Sequence, residues 1–339
     1  MLLVLEKMKT LVINHKLYGQ IKITKPVLID LIKSPALQRL KNIEQHGTWQ
    51  FHKNYKKKNR FTRYDHSIGV MLLLKRFGAS WEEQIHGLLH DISHTAFSHV
   101  ADFTFGSDHM KHDYQDNRIA KAYELQGVNK ILKKHRVNKN YILNEKNFPL
   151  AEKELPDLCA DRIDYTLQDP WGKELIKIHP KKILENLTVF KNQFVFKNQS
   201  SAKSFAELNF KLNQNVWCNP LQVAIYHFSA KALQNALKYE VITKKDFYQD
   251  DDYLINKLLK TDNSKVLDDI KKIKNLEVKE VKNKKQADIC RSSKPRIVDP
   301  SFIKNGKLIR LTDVDKKYKE KTADWIKKVK KGFYIKILS

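Results

Sequence analysis

Apolar residues recur at helical spacing along most of the chain, and the exceptions are short. Leu11-Val-Ile-Asn-His-Lys-Leu-Tyr-Gly-Gln-Ile21 alternates in part and turns at Gly19, which predicts a strand or hairpin. From Pro26 the positions Val27, Leu28, Leu31 and Ile32 predict a short helix. Ser34-Pro35 then caps a second one over 36–43 that buries Leu37, Leu40 and Ile43. Gly47 allows a close backbone approach, and an aromatic, basic connector runs from Trp49 to Arg60. A strongly apolar helix starts at Arg63 with His66 in its first turn. In the apolar run from Leu88 to Asp102, read as a helix, His86, His90 and His94 share a face while Leu88, Leu89 and Ile92 supply the core stripe. Leu158, Ile163 and Leu167 predict a further helix, which places Asp157, Asp161, Tyr165 and Asp169 near one stripe. Two short strands follow, 187–190 and 193–196, joined by Lys191-Asn192. Helices resume over 201–239 and 250–260, and strands are predicted at 276–281 and 333–338. There is no internal repeat.

Composition narrows the class. With 339 residues, 41% of them hydrophobic, the chain can bury a large core. A net charge of +26 favours polyanions, but its basic residues are mostly Lys, spread over 53–63, 130–139 and 271–331 with no arginine-rich stripe. A nucleic-acid surface and a mere coding bias are both compatible with it. Cys159, Cys218 and Cys290 are odd in number and far apart, so no disulfide framework or CxxC site is indicated, and a reducing cytoplasm fits. Met1 to Leu5 is too short for a signal core, and no window has the roughly 18 apolar residues of a membrane span.

The candidate chemistry sits in the central run, where His90, Asp91, His94, His99 and Asp102 crowd an apolar segment. Buried imidazoles and carboxylates need partners. A metal site and a set of satisfied core or surface polar groups are both open on this pattern. The carboxylate row from Asp157 to Asp169 likewise calls for either metals or Lys/Arg partners.

His66, the pair His90-Asp91 and Asp161 occur in the order H…HD…D on three predicted helices, which resembles the HD-domain metal-dependent phosphohydrolases. Four flanking stretches look like the deoxynucleoside triphosphate triphosphohydrolase branch. They are Ser34-Pro35…Gln38-Arg39-Leu40…Gln45…Gly47, Arg63…His66-Ser-Ile-Gly-Val, His90-Asp-Ile-Ser-His94…Phe97-Ser98-His99…Asp102, and Asp161-Arg-Ile-Asp-Tyr165…Asp169. Lys294-Pro-Arg-Ile-Val-Asp-Pro300 resembles the tail of small bacterial members. The resemblance implies a mainly α fold, with an HD phosphohydrolase domain over 9–245 and a small Lys-rich α+β region over 246–339. It implies a divalent iron, manganese or magnesium centre on His66, His90, Asp91 and Asp161, whose mixed N/O ligation suits such ions. It further implies cleavage at the α-phosphorus of a dNTP, releasing intact triphosphate. His94 and Asp102 would form an imidazole–carboxylate relay, His99 would protonate the leaving oxygen and His112 would hold phosphate oxygens. Arg63 and Arg162 would grip phosphates, while Gln45, Tyr165 and Asp169 would line the sugar. A homo-oligomer is expected on the same ground.

Three departures stand against this pattern. His46 occupies a position where vertebrate members have an apolar residue that excludes a 2′ hydroxyl. Trp217 to Phe228 lacks the Arg and Lys that the family brings to the triphosphate, leaving Tyr226 and His227. Lys33 stands where vertebrate members read a guanine activator with an aspartate. They leave a second reading in play, an HD phosphohydrolase or phosphodiesterase for another nucleotide, and the charge of +26 leaves a third, a basic nucleic-acid-binding protein with a structural metal site.

Overall fold

A computed structural model describes residues 10–106 and 118–338. It opens with an antiparallel hairpin, β1 (Leu11–His15) and β2 (Gly19–Ile23), which buries Tyr18 at its turn. Helices α1 (Pro26–Lys33) and α2 (Pro35–Arg39) each begin at a proline, whose missing N–H is no loss in a first turn. Between them Ser34 Oγ accepts from Leu37 N at 3.3 Å, which caps α2.

At the centre lie α3 (Arg63–Arg76), α4 (Trp81–Leu89) and α5 (Ala160–Gln168), with α3 packed on both of the others. Thr62 and Asp65 cap α3 reciprocally: Thr62 Oγ1 accepts from Asp65 N at 3.1 Å and Asp65 Oδ2 from Thr62 N at 3.0 Å. This fixes where the helix starts, and so where His66 points. Gly69 lets α5 lie close, because a Cβ there would run into the Asp164 carboxylate and the Gln168 amide. Gly69→Ala should therefore cost about 1–3 kcal/mol by overpacking, read as a lower melting temperature, and should weaken metal binding by displacing Asp164.

The predicted helix through His90 to Asp102 is corrected. Helix α4 ends at Leu89 and the chain then turns repeatedly until a short helix, Val100–Thr104. The cause is tertiary: backbone groups that would have closed a helix are taken by other partners. Arg39 Nη2 donates to the carbonyls of Ile92 (3.1 Å) and His94 (2.8 Å). Ala96 N donates to Phe247 O (2.9 Å) and Phe97 N to Asp251 Oδ1 (2.7 Å). Phe97 and Ser98 are left-handed, at φ 64° and 52°. The same carboxylate also accepts from Glu44 N (2.8 Å) and Gln50 Nε2 (2.6 Å), so Asp251 ties the His90–His99 segment to the 44–50 segment. Gly47, at φ +59°, brings its Cα so close to Phe97 that a Cβ would stand 2.7 Å from that carbonyl oxygen. The close approach read from the sequence is thus real.

The predicted strands at 187–196 form an antiparallel hairpin, β3 (Leu187–Phe190) and β4 (Gln193–Phe196). The helical span expected over 201–239 holds two helices, α6 (Gln199–Leu212) and α7 (Pro220–Lys238), parted by a π-helical turn and by Asn219-Pro220. Beyond them come α8 (Asp251–Leu259), α9 (Ser264–Asn275), the strands β5 (Val278–Glu280), β6 (Ile289–Arg291), β7 (Ser301–Lys304) and β8 (Lys307–Arg310), α10 (Lys316–Lys331) and β9 (Phe333–Ile337). Strands β7 and β8 extend the hairpin into a β3-β4-β7-β8 sheet, and β9 pairs with β5 and β6. Ala96, Phe97 and Val100 share one apolar cluster with α7, α9, Val329 and Phe333. Residues beyond 245 and the central segment thus have a common core. No helix among the described residues is long and apolar enough to cross a membrane.

Candidate metal centre and active site

Four of the sequence-selected residues converge at the junction of α3, the end of α4 and α5. His66 Nδ1 donates to Asp164 Oδ2 (2.7 Å) and His90 Nδ1 to Gly87 O (2.7 Å), which turns both Nε2 atoms inward to stand 3.2 Å apart. Asp161 Oδ1 lies 2.9 Å from the first and 3.6 Å from the second. Asp91 closes the group, with Oδ1 at 3.5 Å from His90 Nε2 and Oδ2 at 3.9 Å from His66 Nε2. His66, His90 and Asp161 each offer one ligand atom, all mutually within 4.8 Å.

The electrostatics show what such a group lacks. Burial alone would depress both imidazoles, yet the surrounding carboxylates hold His66 at about 9 and His90 at about 10. Burial would raise Asp161 and Asp91, yet positive neighbours hold both well below the usual carboxylate range: His66 and His90 for Asp161, Arg63 and the histidines for Asp91. The point where two Nε2 atoms and two carboxylates meet thus demands positive charge, which a divalent cation on this N/O donor set supplies. The residues fit such an ion.

Around this centre the other expected residues take definite places. Arg63, buried, donates Nη1 to Asp91 Oδ2 (2.8 Å) and Nε to Ser98 Oγ (3.0 Å). It therefore orients a ligand as well as lining the cavity. His94 Nε2 stands 3.1 Å from Asp91 Oδ1, and burial with Arg63 holds its imidazole down at about 4. The carboxylate of Asp102 meets His99, whose Nδ1 lies 3.1 Å from Asp102 Oδ2; the His94 and His99 rings pack edge to face at 4.9 Å. His99 Nε2 in turn faces Arg296 Nη2 at 3.3 Å. In this tautomer Nδ1–H donates to the carboxylate and Nε2 accepts from the guanidinium, so His99 presents a lone pair where the sequence suggested a proton. His112 lies outside the described residues.

Arg63, His94, His99 and Arg296 border a cavity of about 500 Å³, which Gln45, Arg162, Tyr165 and Asp169 also line. Arg162 Nη1 donates to Asp157 O (3.0 Å) and approaches Cys159 Sγ (3.2 Å). Asp169 does not belong to an open acidic stripe. Trp171 N (3.0 Å) and Trp217 Nε1 (2.9 Å) donate to it, and His46 Nε2 stands 3.4 Å away. Burial raises its carboxyl above the ordinary value. Among the described residues, Gln45 Oε1, His46 Nε2 and His86 Nε2 are buried atoms of cavity-lining side chains with no hydrogen-bond partner. Such orphans on a cavity wall call for partners from a ligand.

Several residues at the site carry little legible signal. Asp164 was visible as i+3 from Asp161 on the same helix, but the spacing alone did not separate a ligand from the group that orients one. Glu152 lines the cavity from a segment without motif-like context, while Trp217, Lys294 and Arg296 lie in stretches that the sequence singles out without placing them at this cavity.

Comparison with known proteins agrees with this geometry. Residues 63–168 match the HD domain family. The Bacillus subtilis protein YdhJ, of uncharacterised function, is 37% identical over 96% of this chain and 99% of its own length. The metal-dependent phosphohydrolase cns2 of Cordyceps militaris is 31% identical over 71% of this chain and 70% of its own. The bovine deoxynucleoside triphosphate triphosphohydrolase SAMHD1 is 34% identical over 28% of this chain and 18% of its own. A phosphohydrolase structure from Bacteroides thetaiotaomicron superposes with a TM-score of 0.67 at 19% identity, covering 96% of this chain and 98% of that one, which speaks for the fold. With the H…HD…D residues gathered at one point of that fold, the chain belongs to the HD-domain family of metal-dependent phosphohydrolases.

Proposed function

We propose that the chain hydrolyses deoxynucleoside triphosphates to deoxynucleoside and intact triphosphate. The observation that carries this reading is the common cavity: His90, Asp91 and Asp161 line it with His66 buried against them, and Gln45, Tyr165 and Asp169 line it too. The partial likeness to a bovine enzyme of that named activity supports it. A divalent ion on the quartet would activate water and neutralise phosphate oxygens. The chain's own residues do the rest. Arg63 holds Asp91, and Asp164 holds His66 with its Nε2 lone pair inward. Asp102 holds His99 at Nδ1 so that its Nε2 lone pair faces the cavity, able to take a proton released by the attacking water and pass it to the leaving 5′ oxygen. Arg162 adds positive charge for phosphate oxygens. Gln45 Oε1, an unpartnered acceptor, and the Asp169 carboxylate meet sugar hydroxyls, while Tyr165 and Trp217, edge to face at 5.0 Å, form the apolar wall beside them.

One observation favours a broader substrate range. His46 Nε2, which faces the Asp169 carboxylate at 3.4 Å but makes no hydrogen bond, lies on the sugar side of the cavity, so a 2′ hydroxyl has something to bond to. Both readings are tested by incubating manganese-loaded protein with each dNTP and NTP, a monophosphate and a cyclic nucleotide, and separating products by ion exchange. Triphosphate with deoxynucleoside is the expected outcome. Release of phosphate or diphosphate instead would overturn the proposed reaction, and NTP turnover as fast as dNTP turnover would overturn the sugar preference.

A further inference from the structure

The arginines expected to grip phosphate are already engaged, Arg63 with Asp91 and Ser98, Arg162 with Asp157 and Cys159. The wall from Trp217 to Phe228, where the sequence departs from the family, carries no Arg or Lys at all. That wall is covered by another part of the chain. Cys218 Sγ lies 3.4 Å from Lys294 O and 3.6 Å from Ser293 Oγ, and Lys294 and Arg296 both line the cavity. Pro295 explains why both do. It drives the preceding residue to an extended conformation, and in extended chain residues two apart project to the same side.

The segment is firmly built. Ser293 N donates to Val329 O (3.3 Å), Tyr318 OH to Val298 O (2.7 Å) and Asp299 N to Pro156 O (2.9 Å), while Val298 is fully buried. Thr312 closes the far end, donating N (3.1 Å) and Oγ1 (2.6 Å) to the Asp299 carboxylate. A cation held this way is pre-positioned, so little ordering remains to be done when an anion arrives.

We infer that Arg296, with Lys294 beside it, is the clamp for the phosphate chain, delivered to the catalytic cavity by the C-terminal region. The Arg296 guanidinium now donates to His99 Nε2. A phosphate oxygen is the stronger acceptor and accommodates the planar fork, so bound polyphosphate draws the guanidinium away and frees the His99 Nε2 lone pair to take a proton from the attacking water and pass it to the ester oxygen. Clamp and imidazole are thereby coupled. The inference rests on the proposed polyphosphate substrate, but its binding half can be measured without a nucleoside.

The test is calorimetric titration of inorganic triphosphate, and of orthophosphate for comparison, into manganese-loaded full-length protein and its Arg296→Gln, Arg296→Lys and Lys294→Gln variants. Metal content and melting are measured in parallel. Arg296→Gln should bind triphosphate at least tenfold more weakly with metal content unchanged, Arg296→Lys should keep part of the affinity, and orthophosphate should be affected less. With dNTPs, Arg296→Gln should raise KM by a similar factor and also lower kcat. Triphosphate affinity within twofold of wild type in metal-replete Arg296→Gln would overturn the clamp. If that variant does not fold cooperatively, Arg296→Lys and Lys294→Gln decide by the same comparison, and unchanged affinity in both overturns it. Triphosphate binding that depends on Arg296 in a protein that cleaves no dNTP would uphold the clamp and remove the substrate reading. Clean dNTP cleavage with affinity and KM indifferent to Arg296 would do the reverse.

Discussion

Asp161→Asn should lower divalent-metal affinity by about two orders of magnitude or more and phosphohydrolysis by at least about a thousandfold, with the fold retained. Asp161 Oδ1 is the atom closest to the point where the two imidazole Nε2 atoms converge, at 2.9 Å and 3.6 Å from them. Asparagine keeps the shape but replaces an anionic oxygen by a neutral amide, and so weakens the attraction that gathers positive charge there. The side chain is 20% exposed, so little packing is lost. Asp91→Ala would be a poorer probe. It would also leave Arg63 buried beside a missing partner, and breaking such a pair costs about 3–5 kcal/mol on its own account. The measurements are metal content after dialysis, hydrolysis with saturating manganese and a melting curve. Wild-type turnover by an Asp161→Asn protein that no longer holds metal would remove the quartet from the reaction.

Much of this was readable before any coordinates, and the physical reason is specific. A metal needs donors of particular chemistry, and His66, His90-Asp91 and Asp161 are unusual enough within apolar helical pattern to be picked out in order. A long apolar helix such as α3 announces itself by its run of apolar residues, whereas the break between α6 and α7 does not. What could not be read was decided by contacts from far along the chain. The helix expected through His94 does not form across 92–97, where Arg39, Phe247 and Asp251 take backbone groups that would have closed it. That termination matters to the site, since repeated turns bring Asp91, His94 and His99 around the cavity where a straight helix would have spread them along its length. Arg296 was invisible for a related reason. Lys294-Pro-Arg296 stood out as a motif, but nothing local says that it is carried back onto the wall bearing Cys218, facing His99.

Asp164 is the clearest instance of a group whose importance only geometry reveals, and its replacement is the second large effect expected. Buried at α5, it accepts from His66 Nδ1 (2.7 Å), Tyr18 OH (2.6 Å) and Gln168 Nε2 (2.7 Å to Oδ1, 2.9 Å to Oδ2), so both oxygens are filled. An acceptor on Nδ1 keeps the His66 proton there and its Nε2 lone pair toward the quartet. Asparagine can offer only one acceptor atom, and its amide then confronts another donor. Asp164→Asn should weaken metal binding about 10- to 100-fold and cost about 1–3 kcal/mol of stability. Tyr18→Phe provides the control. It removes one hydrogen bond to the same carboxylate and loosens the N-terminal hairpin, costing about 1.5–3 kcal/mol, yet leaves the His66 contact in place. Metal titrations and melting curves on the two variants separate the effects, because comparable destabilisation should come with a loss of metal affinity in the first and near-wild-type affinity in the second. If both variants lose metal affinity in proportion to their loss of stability, Asp164 acts through packing alone; if only Asp164→Asn does, its carboxylate sets the tautomer of the histidine at the centre of the site.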